Sequence, residues 1–162
     1  TRICSSPKTA RIAPAHSQGA SSAEWKAINA ADGSLITPNG SGTTSGSIKM
    51  DFISNTLTWS TSITNKANAW HDIPFSNIKC DSTIGANAKL LLQNLGFLPY
   101  EGDTLESAHH CYFDNGLAEI CFYSGGDWYF SGYGLASFSS DLRSCTRTNL
   151  GFRSAYVKLP TA

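Results

Sequence analysis

The clearest alternation of apolar and polar positions begins at Ile48. Ile48, Met50 and Phe52 alternate with Lys49 and Asp51, Ser54-Asn55 supplies a turn, and Leu57 and Trp59 lead the return through residues 60–63. Period-two patterning about a short polar turn predicts a β-hairpin. Trp70-His71-Asp72-Ile73-Pro74-Phe75 is expected to be extended, because proline disfavours helix at the residue before it. Alternation then places His71 and Asp72 on opposite faces. The pattern changes at 84–95, where Leu90, Leu91, Leu92 and Leu95 predict the apolar face of a helix, with Ser82 or Thr83 as its cap and Gly96 as its stop. Residues 103–106 open with Asp103-Thr104 and suggest a further helical turn. Residues 111–113 and 117–123 flank Asn115-Gly116, a strong hairpin signal. A two-residue turn there pairs 111 with 120 and 110 with 121, which sets Cys111 and Cys121 on opposite faces of the ribbon and argues against a disulfide between them. From 125 to 149 no period is visible, and 151–159 reads as a closing strand.

The first 47 residues differ. They are rich in Ser, Thr, Ala, Gly and Pro, with a capping box at Ser21-Ser22-Ala23-Glu24 that predicts a short helix over 23–31 stopped by Gly33. Residues 40–46 (GSGTTSG) read as a linker or exposed loop. The order of elements, a hairpin, one solid helix and then strands broken by a long loop-rich stretch, is α+β and not a repeated βαβ unit. The organisation predicted is an N-terminal extension, 1–47, and a binding domain, 48–162.

Composition narrows the function classes. Charged residues make up 15% of the 162-residue chain and the formal net charge is zero, against roughly 25% charged residues in an average soluble domain. The surface is therefore expected to be neutral and polar, and with no cluster of Lys and Arg it has no footprint for nucleic acid. No apolar run approaches the ~20 residues of a membrane-spanning helix. The five cysteines, Cys4, Cys80, Cys111, Cys121 and Cys145, show no CxxC pair and read as free, mostly buried thiols.

Motifs of covalent chemistry are missing: there is no nucleophile elbow, HExxH, Walker loop or dinucleotide fingerprint. His71 reads as a structural hydrogen-bonder beside Trp70. His109, His110 and Cys111 are adjacent on a strand and cannot converge on one zinc ion. Asp103, Glu106 and Asp114 read as solvated carboxylates. Asn39-Gly40-Ser41 is a glycosylation triplet whose meaning depends on the host. The expectation is no catalytic residue, no metal and no cofactor.

Three short elements in the last third carry a family pattern: Gly125-Gly126-Asp127-Trp128, Leu142-Arg143-Ser144 and Leu150-Gly151-Phe152-Arg153-Ser154-Ala155. Together with Cys111-Tyr112-Phe113 they resemble the C-type-lectin-like domain shared by the formylglycine-generating enzymes and by the variable proteins of diversity-generating retroelements, among them phage tail-fibre receptor-binding proteins. The resemblance covers residues 108–157. It implies a C-type-lectin-like fold with a long irregular segment, preceded by the hairpin and the extended N-terminal region. The enzymes of that group place two cysteines between the double glycine and the Arg-Ser. Here residues 127–142 contain none, and the corresponding positions hold Phe130 and Leu135. The variable-protein branch therefore fits better. Its adenine-directed mutagenesis yields codons that exclude Lys, Glu, Gln, Met and Trp. These five types number 18 of 162 residues, and none falls in 129–149, where about two would be expected from composition.

On this reading Trp128, Phe152 and Val157 belong to the frame, Arg143 and Arg153 tie backbone carbonyls together, and Gly125, Gly126 and Gly151 serve tight backbone geometry. The filler is Tyr, Ser, Gly, Phe and Thr, side chains typical of a paratope. The ligand-binding residues expected are Tyr129, Phe130, Ser131, Tyr133, Ser139, Asp141, Thr146, Arg147, Thr148 and Asn149. The resemblance implies a non-enzymatic receptor-binding module of a phage tail fibre, homotrimeric, recognising a bacterial cell-surface protein or glycan. The alternatives are a diverged formylglycine-generating-type enzyme, a surface-polysaccharide hydrolase, for which Asp127 and Asp141 are the carboxylates available, and a bacterial surface or secreted adhesin.

Overall fold

A computed structural model of the chain describes residues 2–4, 26–39, 41–66, 69–102, 109–116, 120–124 and 137–142. Among these residues the architecture is α+β, mostly sheet with one α-helix. Its strands are β1 (Arg2–Cys4), β2 (Ala27–Ile28), β3 (Leu35–Ile36), β4 (Lys49–Ile53), β5 (Thr56–Ser60), β6 (His71–Pro74), β7 (Ile78–Cys80), β8 (His110–Phe113), β9 (Ile120–Ser124) and β10 (Phe138–Leu142), and the helix α1 is Ala86–Asn94. The main sheet has the order β1-β9-β10-β8-β6, a second sheet the order β4-β5-β7, and β2-β3 is a separate ribbon.

The first predicted hairpin forms as patterned. β4 and β5 pair from Lys49↔Ser60 to Ile53↔Thr56, and Ser54 and Asn55 turn the chain with φ of 50° and 59°, the left-handed pair a two-residue hairpin demands. Asp51, on the polar side of the alternation, is nonetheless buried. Its carboxylate accepts from the backbone N–H groups of Phe52 (3.1 Å), Thr64 (3.1 Å) and Asn65 (2.8 Å), and from Thr64 Oγ1 (2.5 Å). Burial pushes its pKa up, but these hydrogen bonds outweigh it and hold the carboxyl below its ordinary value. A folded pKa below the unfolded value of ~3.9 stabilises the protein above that pH, and the contribution is lost as pH falls through the folded pKa. The difference in melting temperature between the wild type and Asp51→Asn is therefore expected to be full at pH 6 and to shrink below about pH 4; a pH-independent difference would contradict this role.

α1 is shorter than predicted and turned. Gly85, not Ser82 or Thr83, is its N-cap. Ala88, Leu91 and Leu92 are buried, whereas Leu90 is exposed, because four near-consecutive leucines exceed the arc one face can bury. The predicted stop holds: Gly96, at φ 75°, donates to Gln93 O (2.9 Å) and Phe97 donates to Leu92 O (2.9 Å), the paired bonds of a Schellman end.

Ala27–Ile28 is a strand and Ala30–Asp32 a turn, so the helix expected over 23–31 is not what its described part forms. The local capping signal lost to long-range pairing: β2 pairs β3, Ile48 N–H bonds Ile28 O (2.9 Å), and Gly85 N–H bonds Ala30 O (2.8 Å). Ala30, Ile84 and Ala88 form a small apolar cluster there. These contacts cross position 47/48, and β1 joins the main sheet through β9. A Cβ at Gly85 would lie 1.9 Å from Ala31 O, a distance only backbone movement relieves. Gly85→Ala should cost about 3 kcal/mol by urea denaturation; a loss below about 0.5 kcal/mol would show that the turn yields freely.

The expectation of a hairpin about Asn115-Gly116 is overturned. β8 and β9 exist but do not pair. β10 lies between them, parallel to β8 (Phe138↔Cys111, Ser139↔Tyr112) and antiparallel to β9. Asn115 turns inward instead: it is 2% exposed and its Nδ2 donates to Asn65 O (2.7 Å), while Asp114 Oδ1 accepts from Gly116 N–H (2.7 Å). A buried asparagine satisfied by a distant loop no longer acts as a free hairpin turn. Cys111 consequently lies opposite Ile73 and Phe138, not residue 120, and Cys121 lies opposite Asp141 and Cys4, not residue 110.

The core sits between the two larger sheets. Ile73, Cys111, Phe113, Phe122 and Phe138 meet Met50, Leu57, Trp59 and Ile78, with Leu92, Phe97 and Leu98 completing the layer. Phe122 and Phe138 meet edge-on at 5.7 Å, the favoured arrangement of aromatic quadrupoles.

Candidate functional site

Of the binding residues expected from sequence, Ser139 and the backbone of Asp141 are described. Both lie on β10, the central strand of the main sheet. The reading of 125–149 as wholly irregular is thus corrected at 138–142. Its strand is hidden in the sequence because serine, not an aliphatic residue, holds the inward position between Phe138 and Leu142. Phe138 and Ser140 are buried and Ser139 is half-buried. Tyr129, Phe130, Ser131, Tyr133, Thr146, Arg147, Thr148 and Asn149 lie outside the described residues, as do Trp128, Arg143, Arg153, Phe152 and Val157.

The structure does fix where that stretch is rooted. Ser124, the last residue of β9, is the register partner of Phe138, the first of β10. Residues 125–137 therefore leave and re-enter the sheet at adjacent points. The re-entry is tied down at Ser137, whose Oγ accepts from the backbone N–H of His110 (3.0 Å), and by Phe138, packed against Phe75, Phe97 and Phe122.

Beside this root lie Trp70, Asp72, His110 and Tyr112, which the sequence analysis did not name as binding residues. Asp72, Tyr112, Ser139, Tyr123 and Arg2 occupy one register row across the main sheet. Trp70 and Tyr112 are each 40% exposed and stack with ring centroids 4.9 Å apart and planes 9° from parallel. Next to them His110 Nδ1 and Asp72 Oδ1 are 2.9 Å apart at the surface. The signal was present as two short alternations, Asp72 before Ile73 and His110 before Cys111, but they meet only when β6 is paired with β8. His71 and Asp72 do take opposite faces. Among the described residues His71 is not the hydrogen-bonder expected beside Trp70: its ring packs 4.0 Å from that of Phe52, and its buried Nε2 has no hydrogen-bond partner there.

A cavity of about 350 Å³ opens on another side, floored by Met50, Trp59, Ile120 and Phe122 and rimmed by Thr43, Lys49, Lys66 and Asn115. Lys49 is committed there, donating to Thr44 O (2.8 Å) and to Ser47 O and Oγ, and burial lowers its pKa. The loop next to it is ordered by Asn39, whose Oδ1 accepts from Ser41 N–H (3.0 Å) and whose Nδ2 donates to Thr43 Oγ1 (2.6 Å).

Cys111 is wholly buried, and burial, with the nearby Asp72 charge, pushes its thiol well above its ordinary value, so it carries no nucleophilic thiolate. Among the described residues no three His, Cys, Asp or Glu side chains are grouped to hold a metal ion, and no helix is long and apolar enough to cross a membrane. The chain matches no known protein-family model and no curated protein sequence.

Proposed function

We propose that the chain is a non-enzymatic binding module with a C-type-lectin-like fold, of the kind that forms the receptor-binding end of a phage tail fibre. In this reading Tyr129, Phe130, Ser131, Tyr133, Ser139, Asp141, Thr146, Arg147, Thr148 and Asn149 make the ligand surface. The observation that carries it is the pairing of Ser124 with Phe138. A stretch rich in Tyr, Ser and Gly springs from two neighbouring strands whose inner faces are locked into an aromatic core. Such rooting pre-organises a contact surface and lowers the ordering cost of binding. Trp70 and Tyr112, stacked on the same sheet, would extend the surface with rigid aromatic area.

The partner is a bacterial cell-surface protein or glycan, and the assembly a homotrimer in which modest single-site contacts gain strength by multivalency. The place of action is the virion tail fibre. Equilibrium binding to intact host cells by the wild type and by a Tyr129→Ala, Phe130→Ala, Tyr133→Ala triple variant tests the reading, with the melting temperature measured alongside. Binding should be lost and folding kept.

A further inference from the structure

We propose that Cys4 and Cys121 form a disulfide that fastens the N-terminal strand to the main sheet. The five cysteines read as free thiols because their number is odd and they form no CxxC pair or dense framework. The fold brings two of them together. Cys4, the last residue of β1, is the direct register partner of Cys121 in antiparallel β9. Facing residues of an antiparallel ladder have Cα atoms about 4.5–5.5 Å apart, inside the ~4.4–6.8 Å span over which a disulfide closes. Register alone therefore brings the two backbones within reach of the bond.

The position also gives the bond something to do. β1 has three residues, Arg2–Cys4, and among the described residues it pairs with β9 alone. So short a ladder is a weak hold. A covalent link there closes a loop on the order of 100 residues, the regime in which cross-linking restricts the unfolded chain most. The other described cysteines behave differently. Cys80 and Cys111 are free thiols, both with pKa values raised, first of all by burial, and so are poorly reactive competitors.

The chemistry balances as a thiol–disulfide exchange with a low-molecular-weight disulfide such as glutathione disulfide. One protein thiolate attacks a sulfur of the oxidant and releases one glutathione thiolate. The second protein thiolate attacks the mixed disulfide and releases the other. The two protein thiols lose two protons and two electrons in all, and one glutathione disulfide becomes two glutathiones.

The full-length chain, reduced and then equilibrated with glutathione disulfide, is alkylated unfolded and digested with trypsin and chymotrypsin, which cut between Cys111 and Cys121. The expected product is a reducible peptide pair joining Cys4 to Cys121. Oxidation should raise the melting temperature by roughly 5–10 °C. Cys4→Ser should melt with the reduced wild type and show no gain on oxidation. Recovery of Cys4 and Cys121 as separate alkylated or glutathionylated peptides, their linkage to any other cysteine, or a full oxidative gain in Cys4→Ser would each overturn the assignment.

Discussion

Trp59→Ala should remove about 3–5 kcal/mol of folding stability, the largest loss expected from any single side-chain truncation in the core. Trp59 is 2% exposed and stands on β5, where its ring joins the two larger sheets. It meets Phe122 of β9 edge-on at 5.6 Å and Phe97, just beyond α1, at 6.5 Å. Its Nε1–H donates to Phe97 O at 2.8 Å in a fully buried bond. Truncation opens a cavity among the second sheet, the main sheet and the end of the helix, and it leaves a buried carbonyl unpaired, itself a cost of about 1–3 kcal/mol. Against a total of roughly 5–15 kcal/mol, this threatens folding at physiological temperature. Trp59→Phe keeps most of the ring and loses the hydrogen bond, so it should cost about 1–2 kcal/mol. Urea denaturation of both variants measures the pair. A loss under about 1 kcal/mol for alanine would mean that the sheets are not joined through this residue.

How much of this was legible from the sequence depended on the range of the interactions involved. The β4–β5 hairpin was legible because its alternation, its Ser54-Asn55 turn and its register all lie within a few residues. The end of α1 was legible for the same reason: Gly96 is a local device. The α+β class followed from the order of such elements. What stayed hidden required distant partners. β10 carries serine at the inward position 140 and takes its place from β8 and β9 on either side. The Asn115-Gly116 signal was outcompeted by a hydrogen bond to Asn65, 50 positions away. Ala27, Ile28 and Ala30 look like helix formers until the close approach at Gly85 shows what they pack against. At the candidate site, Ser139 was named from its place in a variable-looking stretch, while Trp70, Asp72, His110 and Tyr112 gather only through the pairing of β6 with β8.

The second large effect concerns binding and leaves stability alone. Between the root points at Ser124 and Phe138 the bulky aromatics are Trp128, read as part of the frame, and Tyr129, Phe130 and Tyr133. If the last three form a contact surface, each is of the type that dominates interface energies, at about 2 kcal/mol or more per truncation. Removing all three should then weaken binding at least ~100-fold even with strong non-additivity. On the proposed reading they stand outside the aromatic core of Phe75, Phe97, Phe122 and Phe138, and truncation of exposed positions should keep folding to within about 0.5 kcal/mol each.

The decisive measurement is accordingly a paired one on the Tyr129→Ala, Phe130→Ala, Tyr133→Ala variant: the Kd for intact host cells and the melting temperature of the same preparation. A frame that displays this stretch outward predicts a Kd raised ~100-fold or more with the melting temperature unchanged within a few degrees. A collapsed melting temperature, or undiminished affinity in a folded variant, would contradict it.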